Sequence, residues 1–301
     1  MSTTTSIRGR QASPAERSAT RADRSARRRR TSTITTYVVL ITLALVYIYP
    51  FLITIATSFK GDAEAVAQPL SLVPQTWSMA AYDRLLLRSD FPLWFRNSVI
   101  VTLSVTFGRA LIDSMAGYAL ARLHFRGRST VFAGLVAVMA VPGVVLLIPK
   151  FLVIKQLGMY DSFAGMIIPL LADAAGIFIM KNFFESIPHS VEEAARIDGA
   201  GPFRIYWSIV LPMARPALVT LVILSFQGSW NELSHFIVAS QSRDLMTLTK
   251  GVAQLASGAL SAGSQYPIKL AAAAVMTIPV AVLFFVFQKR LMNVTSGAVK
   301  E

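Results

Sequence analysis

The 301 residues contain no cysteine and only three histidines, His124, His189 and His235, which lie in different regions. This excludes disulfides and thiolate metal sites, and it leaves no His/Cys/carboxylate cluster at metal-ligand spacing. Charged residues make up only 15% of the chain against 54% hydrophobic ones, too few to cover a soluble globular surface. No G-x-x-x-x-G-K-[S/T] phosphate loop occurs, and the polar segments are too short for a nucleotide-binding domain, so ATP hydrolysis by this chain is excluded. Asp173 and Glu232 are isolated carboxylates without a paired motif, which argues against a membrane-embedded enzyme.

What is present is a series of long apolar runs. Thr31–Phe59 carries no charge and exceeds the roughly 20 residues that cross a bilayer, so an uncleaved helix is expected over about Tyr37–Ser58. Further spans are expected over Ser98–Leu120, Ser129–Pro149, Ser162–Met180, Pro216–Val238 and Leu270–Gln288, with Pro142 and Pro149 making the third irregular. Short helical pieces are expected between Lys60 and Phe95 and over Leu248–Leu255. The fold class is therefore all-α, a polytopic membrane protein of six transmembrane helices over residues 32–301.

Residues 1–31 form a separate segment with nine arginines and almost nothing large to bury, which predicts disorder. Its place just before a span favours contact with anionic membrane lipids and a topology-setting role over nucleic acid, which is not expected as a partner. Counting Lys and Arg, alternate connections hold nineteen with both termini inside and nine on the opposite side. Both termini are thus expected in the cytoplasm.

Several polar groups fall within the apolar spans. Arg109 and Asp113 are spaced i, i+4 and share a helix face, either lining a route through the membrane or pairing with each other or another helix. Asp173 suits a solute or cation, or a buried structural hydrogen bond. Gln227, Trp230, Asn231 and Glu232 suit either a cavity wall, with the indole stacking on a solute face, or a helix junction.

The most informative stretch is Pro188–Pro216, a polar segment between apolar runs. Ser190 and Glu193 have capping-box spacing, Gly199 and Gly201 permit unusual backbone angles, and Pro202 suits a first helical turn. The expected form is a short helix, a tight turn and a second short helix running to Pro212.

Glu193-Ala194-Ala195, Asp198-Gly199-Ala200, Tyr206, Ile209, Leu211-Pro212 and Pro216 resemble the EAA loop of bacterial ATP-binding-cassette importer permeases. The pattern is similar to the maltose-type carbohydrate permeases, specifically their MalG-like subunit. Thr57-Ser58-Phe59-Lys60, Asn97-Ser98, Gly117-Tyr118-Ala119-Leu120-Ala121-Arg122, Ser229-Trp230-Asn231 and Gly297-Ala298-Val299-Lys300 extend the likeness over about residues 31–300. The resemblance implies a MetI-like type I importer fold with cytoplasmic EAA coupling helices, in a bacterial plasma membrane. It implies a companion permease, two ABC ATPase subunits that bind ATP and Mg, and an external solute-binding protein, with no cofactor held by this chain. Glu193 and Asp198 would supply polar contacts to an ATPase, Ala194 and Ala195 close approach, and Gly199 the turn. The implied solute is a sugar or oligosaccharide. A polyol, glycerol phosphate or amino acid importer, and an ATP-independent secondary transporter, are the alternatives.

Overall fold

The computed structural model describes the backbone of residues 14–258 and 265–297, and side chains of residues 33–258 and 265–288. Residues 298–300 of the GAVK ending and the first thirteen residues of the basic tail lie outside these ranges. Helix α1 (Pro14–Ser58) is described by itself. Its apolar part, Thr33–Ser58, is long enough to span a bilayer, and its large side chains from Ile34 to Leu52 are exposed. The backbone is helical from Pro14, where disorder was expected. Proline at a helix start costs no hydrogen bond, and the Ala- and Arg-rich stretch that follows contains no glycine.

The remaining elements are α2 (Asp62–Ala67), α3 (Ala80–Leu87), α4 (Phe91–Arg122), α5 (Arg128–Met139), α6 (Leu147–Gln156), α7 (Phe163–Ile167), α8 (Ala174–Ser186), α9 (His189–Ile197), α10 (Pro202–Ile205), α11 (Leu211–Met213), α12 (Arg215–Trp230), α13 (Ser234–Ala239), α14 (Leu248–Ala256) and α15 (Tyr266–Gly297). Among the described residues, four helical stretches are long and apolar enough to cross a membrane, or up to six where each of two bent pairs is one span. The chain is an all-α polytopic membrane protein.

Four expected spans are corrected. The second begins at Phe91 rather than Ser98, because Pro92 fits the first turn and Phe91 and Trp94 bury themselves beside Leu248 and Ala271. The third is not one helix: α5 and the segment Gly143–Gln156 meet at 103°. Pro142 is extended there (φ −59°, ψ 129°) and has no amide to continue the ladder. The fifth ends at Trp230, short of Val238, and its N-terminal end meets Pro202–Met213 at 82°. The fourth runs to Ser186, beyond Met180, and is interrupted by a 3₁₀ turn over Ile168–Leu170.

Helix α4 is the centre of the packing, running along α8 and α12, while α15 packs on α3, α12 and α14. At the Arg122 end an apolar cluster joins Tyr118, Met180, Phe184, Tyr206 and Leu221; at the Phe91 end another joins Trp94, Trp230, Leu248 and Ile268. Gly117 allows α4 and α8 to touch: a Cβ there would stand 2.7 Å from Met180 Cβ and 2.9 Å from the Lys181 amide nitrogen. Backbone cannot yield as a flexible side-chain tip can. Gly117→Ala should therefore destabilise the chain by about 1–3 kcal/mol, read as a lowered Tm in detergent, whereas Gly61→Ala, where a Cβ meets nothing within 4 Å, should leave Tm nearly unchanged.

Candidate functional site: the α9–α11 loop and the polar groups of α4, α8 and α12

Helix α9 starts at Pro188, which is extended (φ −58°, ψ 135°), and no side chain caps it. The expected Ser190/Glu193 capping box is absent because Ser190 already lies inside the helix and Glu193 points outward. The helix stops through its backbone instead. Gly199 adopts φ 78°, its amide donates to Arg196 O (3.0 Å), and the Ala200 amide donates to Ala195 O (2.9 Å). These two bonds are a Schellman motif, which needs a left-handed residue at the glycine position. Gly201, by contrast, is extended at φ −73° and leads into Pro202 at the first turn of α10.

The next five residues, Tyr206–Val210, form a π-helical turn before α11. Pro212 accounts for it, since its ring lacks an amide and crowds the carbonyl four residues back, at Ser208. Tyr206 is buried against Tyr118 (5.2 Å between rings), and its hydroxyl pairs with Ser114 Oγ of α4 at 2.7 Å. Ile209 and Leu211 pack on the same cluster, and Pro212 is half-buried. Ala195 is buried too. The opposite face, with Glu193, Ala194, Asp198 and Gly199, is exposed, as are Ile197 at 87% and Phe203 at 68%. A cavity of about 320 Å³ opens between α9 and α10, lined by Ala194, Ala195, Asp198, Ala200, Arg204 and Ile209 among others.

Two buried charges that the sequence reading did not connect hold this loop to the helices. Arg122, at the end of α4, donates to Phe184 O and Ile187 O, and its Nη1 lies 2.9 Å from His189 Nδ1. Its Nε stands 3.3 Å from Glu192 Oε1, an ionic contact without hydrogen-bond alignment, and the two side chains are 0% and 3% exposed. Glu192 Oε2 also meets the exposed Arg196 at 3.5 Å. The available signal was helical phase: from His189 onward, Glu192 shares a face with the buried Ala195, and Glu193 does not.

Arg109 and Asp113 do not form an ion pair with each other. Arg109 Nε donates to Leu170 O (2.7 Å), and Asp113 Oδ1 accepts from the Asp173 amide (3.0 Å). Together they satisfy a carbonyl and an amide at the break between the Ile168–Leu170 turn and α8. Asp173 caps α8 by accepting from the Gly176 amide (3.1 Å). Asp113 therefore sits at the start of α8 and Arg122 at its end, the signs that the helix macrodipole favours.

The polar groups of α12 separate into two kinds. Trp230 is buried: its Nε1 donates to Met276 O (3.1 Å) and its ring stacks on Phe226. Glu232 accepts from the His235 amide (2.8 Å) at the start of α13. These two act at a helix junction. Gln227 and Asn231 are exposed, with Asn231 Nδ2 donating to Gln227 O (2.9 Å), and Gly228 beside them faces Arg109.

Residues 113–293 match the family described as the binding-protein-dependent transport system inner membrane component. The chain belongs to that family. Among curated relatives of this importer permease, the diacetylchitobiose uptake system permease protein NgcG of Streptomyces coelicolor is 32% identical, covering 86% of each chain. The polygalacturonan/rhamnogalacturonan transport system permease protein YtcP of Bacillus subtilis is 33% identical over 84% of this chain and 92% of its own. Among solved structures, a chain of a bacterial ABC transporter involved in alginate import superposes with a TM-score of 0.75 at 28% identity, covering 86% of this chain and 96% of that one. The MetNI methionine transporter, at 21% identity and a TM-score of 0.53 over 70% of this chain and 96% of that one, shares the fold. The permease is a non-catalytic subunit.

At the Phe91 end of α4, the loop residue Asp161 (φ 56°) accepts from the amides of Gln241 (2.8 Å) and Ser242 (2.9 Å) and from the Ser242 hydroxyl. The hydroxyl and then the two amides hold its carboxyl below the ordinary carboxylate value of 3.8. A depressed carboxylate pKa adds stability that is present above the unfolded value and is lost as pH falls through the folded one. The wild-type permease should lose Tm relative to Asp161→Asn when the pH is taken below 3.8, and the difference should be flat at neutral pH. At the α8 break, Asp113→Ala should cost about 1–3 kcal/mol by orphaning the Asp173 amide, whereas Asp113→Asn, which keeps an acceptor oxygen, should cost less; thermal unfolding of both variants checks this.

Proposed function

We propose that this permease forms half of the membrane pathway of a bacterial carbohydrate importer and transmits ATPase closure to it through the α9–α11 loop. The observation that carries the reading is the two-sided construction of that loop. Tyr206, Ala195 and Val210 fix one side in the membrane domain, while Glu193, Ala194, Ile197, Asp198 and Phe203 are left exposed on the other. An exposed apolar patch rimmed by carboxylates is a poor surface for water and a good one for a protein groove. Ala194 and Gly199 keep it low enough for close approach.

In this reading the partners are a companion permease, two cytoplasmic ABC ATPases that bind ATP and Mg, and an external solute-binding protein. ATP-driven closure moves the loop, the helices expose the pathway outward to the loaded binding protein, and hydrolysis restores the inward-facing state. We read the chain as a MalG-like subunit, and the saccharide systems named for its relatives support a sugar or oligosaccharide as solute. The basic tail sets both termini in the cytoplasm, against anionic lipid. The half-exposed Arg109 and the exposed Gln227 and Asn231 lie on the side available to the pathway, with the other polar groups holding helix junctions.

The test is reconstitution in vesicles with companion permease, ATPase and binding protein, measuring ATP hydrolysis and uptake over a panel of mono-, di- and oligosaccharides. Uptake should require every component and ATP. The double variant Ile197→Asp with Phe203→Asp should weaken ATPase association at least about tenfold and abolish uptake, with Tm unchanged because both side chains are exposed. Solute movement by this chain alone without ATP would reject the reading.

A further inference from the structure

We infer that the buried Arg122–Glu192 pair is the anchor through which movement of the α9–α11 loop reaches α4 and α8. The inference rests on the reading of that loop as the ATPase contact and names the positioning residues behind it. Three elements end at one guanidinium. It belongs to the last residue of α4, binds the carbonyls of Phe184 and Ile187 at the end of α8, and meets His189 and Glu192 in the first turn of α9. No other salt bridge among the described residues has both side chains below 10% exposure.

Stability alone is a weak reason for such a pair, since buried ion pairs are often matched by well-packed apolar residues of the same volume. Direction is a better one. Apart from the Tyr206–Ser114 hydrogen bond, the surrounding contacts of Tyr118, Phe184, Tyr206 and Val210 are apolar and non-directional, so they resist separation more than they resist sliding. A planar guanidinium with donors aimed at two carbonyls and an imidazole nitrogen, and with a carboxylate in ionic contact beside its Nε, fixes position in several directions at once. Glu192 lies one residue before the exposed Glu193, so force on the outer face of α9 arrives at its inner face within one turn. Arg122 then delivers it to the ends of α4 and α8 together.

The chain's lack of cysteine permits a direct test in the assembled complex. Spin labels at Leu103→Cys on α4 and Phe284→Cys on α15, both exposed, report the distance between these helices without nucleotide and after trapping with ATP and vanadate. A cysteine at Ser190, exposed on α9, reports docking by cross-linking to the ATPase. In the wild type the distance should change on trapping. In Glu192→Gln, which keeps size but removes the charge, and in Arg122→Lys, which keeps charge but removes the fork, cross-linking and ATP hydrolysis should persist within about twofold. The distance change should shrink at least about fivefold, with Glu192→Asp recovering part of it.

A full distance change in both variants would overturn the anchor, as would hydrolysis and distance change falling in proportion, which is what a purely structural role gives. If Glu192→Gln fails to assemble, Arg122→Lys and Glu192→Asp decide by the same comparison. A wild-type chain that neither cross-links to an ATPase nor responds to ATP would instead reject the function proposed for the loop.

Discussion

A peptide group left unpaired inside a bilayer costs several kcal/mol, and this chain interrupts its helices at membrane depth. How those interruptions are satisfied determines much of the architecture. The interrupted fourth span is repaired by α4: Arg109 takes the Leu170 carbonyl, Asp113 the Asp173 amide, and Arg122 the carbonyls of Phe184 and Ile187. Three charged side chains on one helix thus hold both ends of α8. Because α4 is held at Gly117 in near backbone contact with α8, the loop carried by α8 inherits its position from α4 as well.

The family landmarks serve the same need. Asn97 donates to the carbonyls of Asp244 (2.7 Å) and Met246 (3.0 Å), and Ser98 accepts the Leu248 amide (2.7 Å), joining α4 to the segment that leads into α14. Lys60 is buried with its ammonium on Gln68 O and Ser71 O, closing the loop after α1. Trp230 reaches a backbone carbonyl of α15. These residues bind backbone groups of the permease scaffold, which is why they announce a family without announcing a solute. On the function proposed above, discrimination among saccharides is left to exposed groups such as Gln227 and Asn231 and to the partner chains.

What could be read from the sequence follows the range of the interaction. Gly199, Pro202 and the apolar runs act locally, so the turn, the first turn of α10 and the approximate spans were legible. The capping box failed because Pro188, two residues earlier, had already started α9. The Arg109–Asp113 spacing was correct as helix geometry, yet each side chain found a backbone partner about sixty residues away, which i, i+4 spacing cannot foresee. The Arg122–Glu192 contact joins residues seventy apart and had only the phase of α9 to signal it.

The π-helical turn at Tyr206–Val210 places one residue more in a helical turn than an α-helix holds. Deleting a residue there would wind the turn back to α geometry and swing everything before it by about 100° around the axis. Phe203 and Arg204 would then face a different neighbour while Tyr206 lost Ser114. The length of this stretch is consequently fixed to the single residue, although much of its surface is open: side chains on its outer face can be exchanged, but insertions and deletions cannot be accommodated.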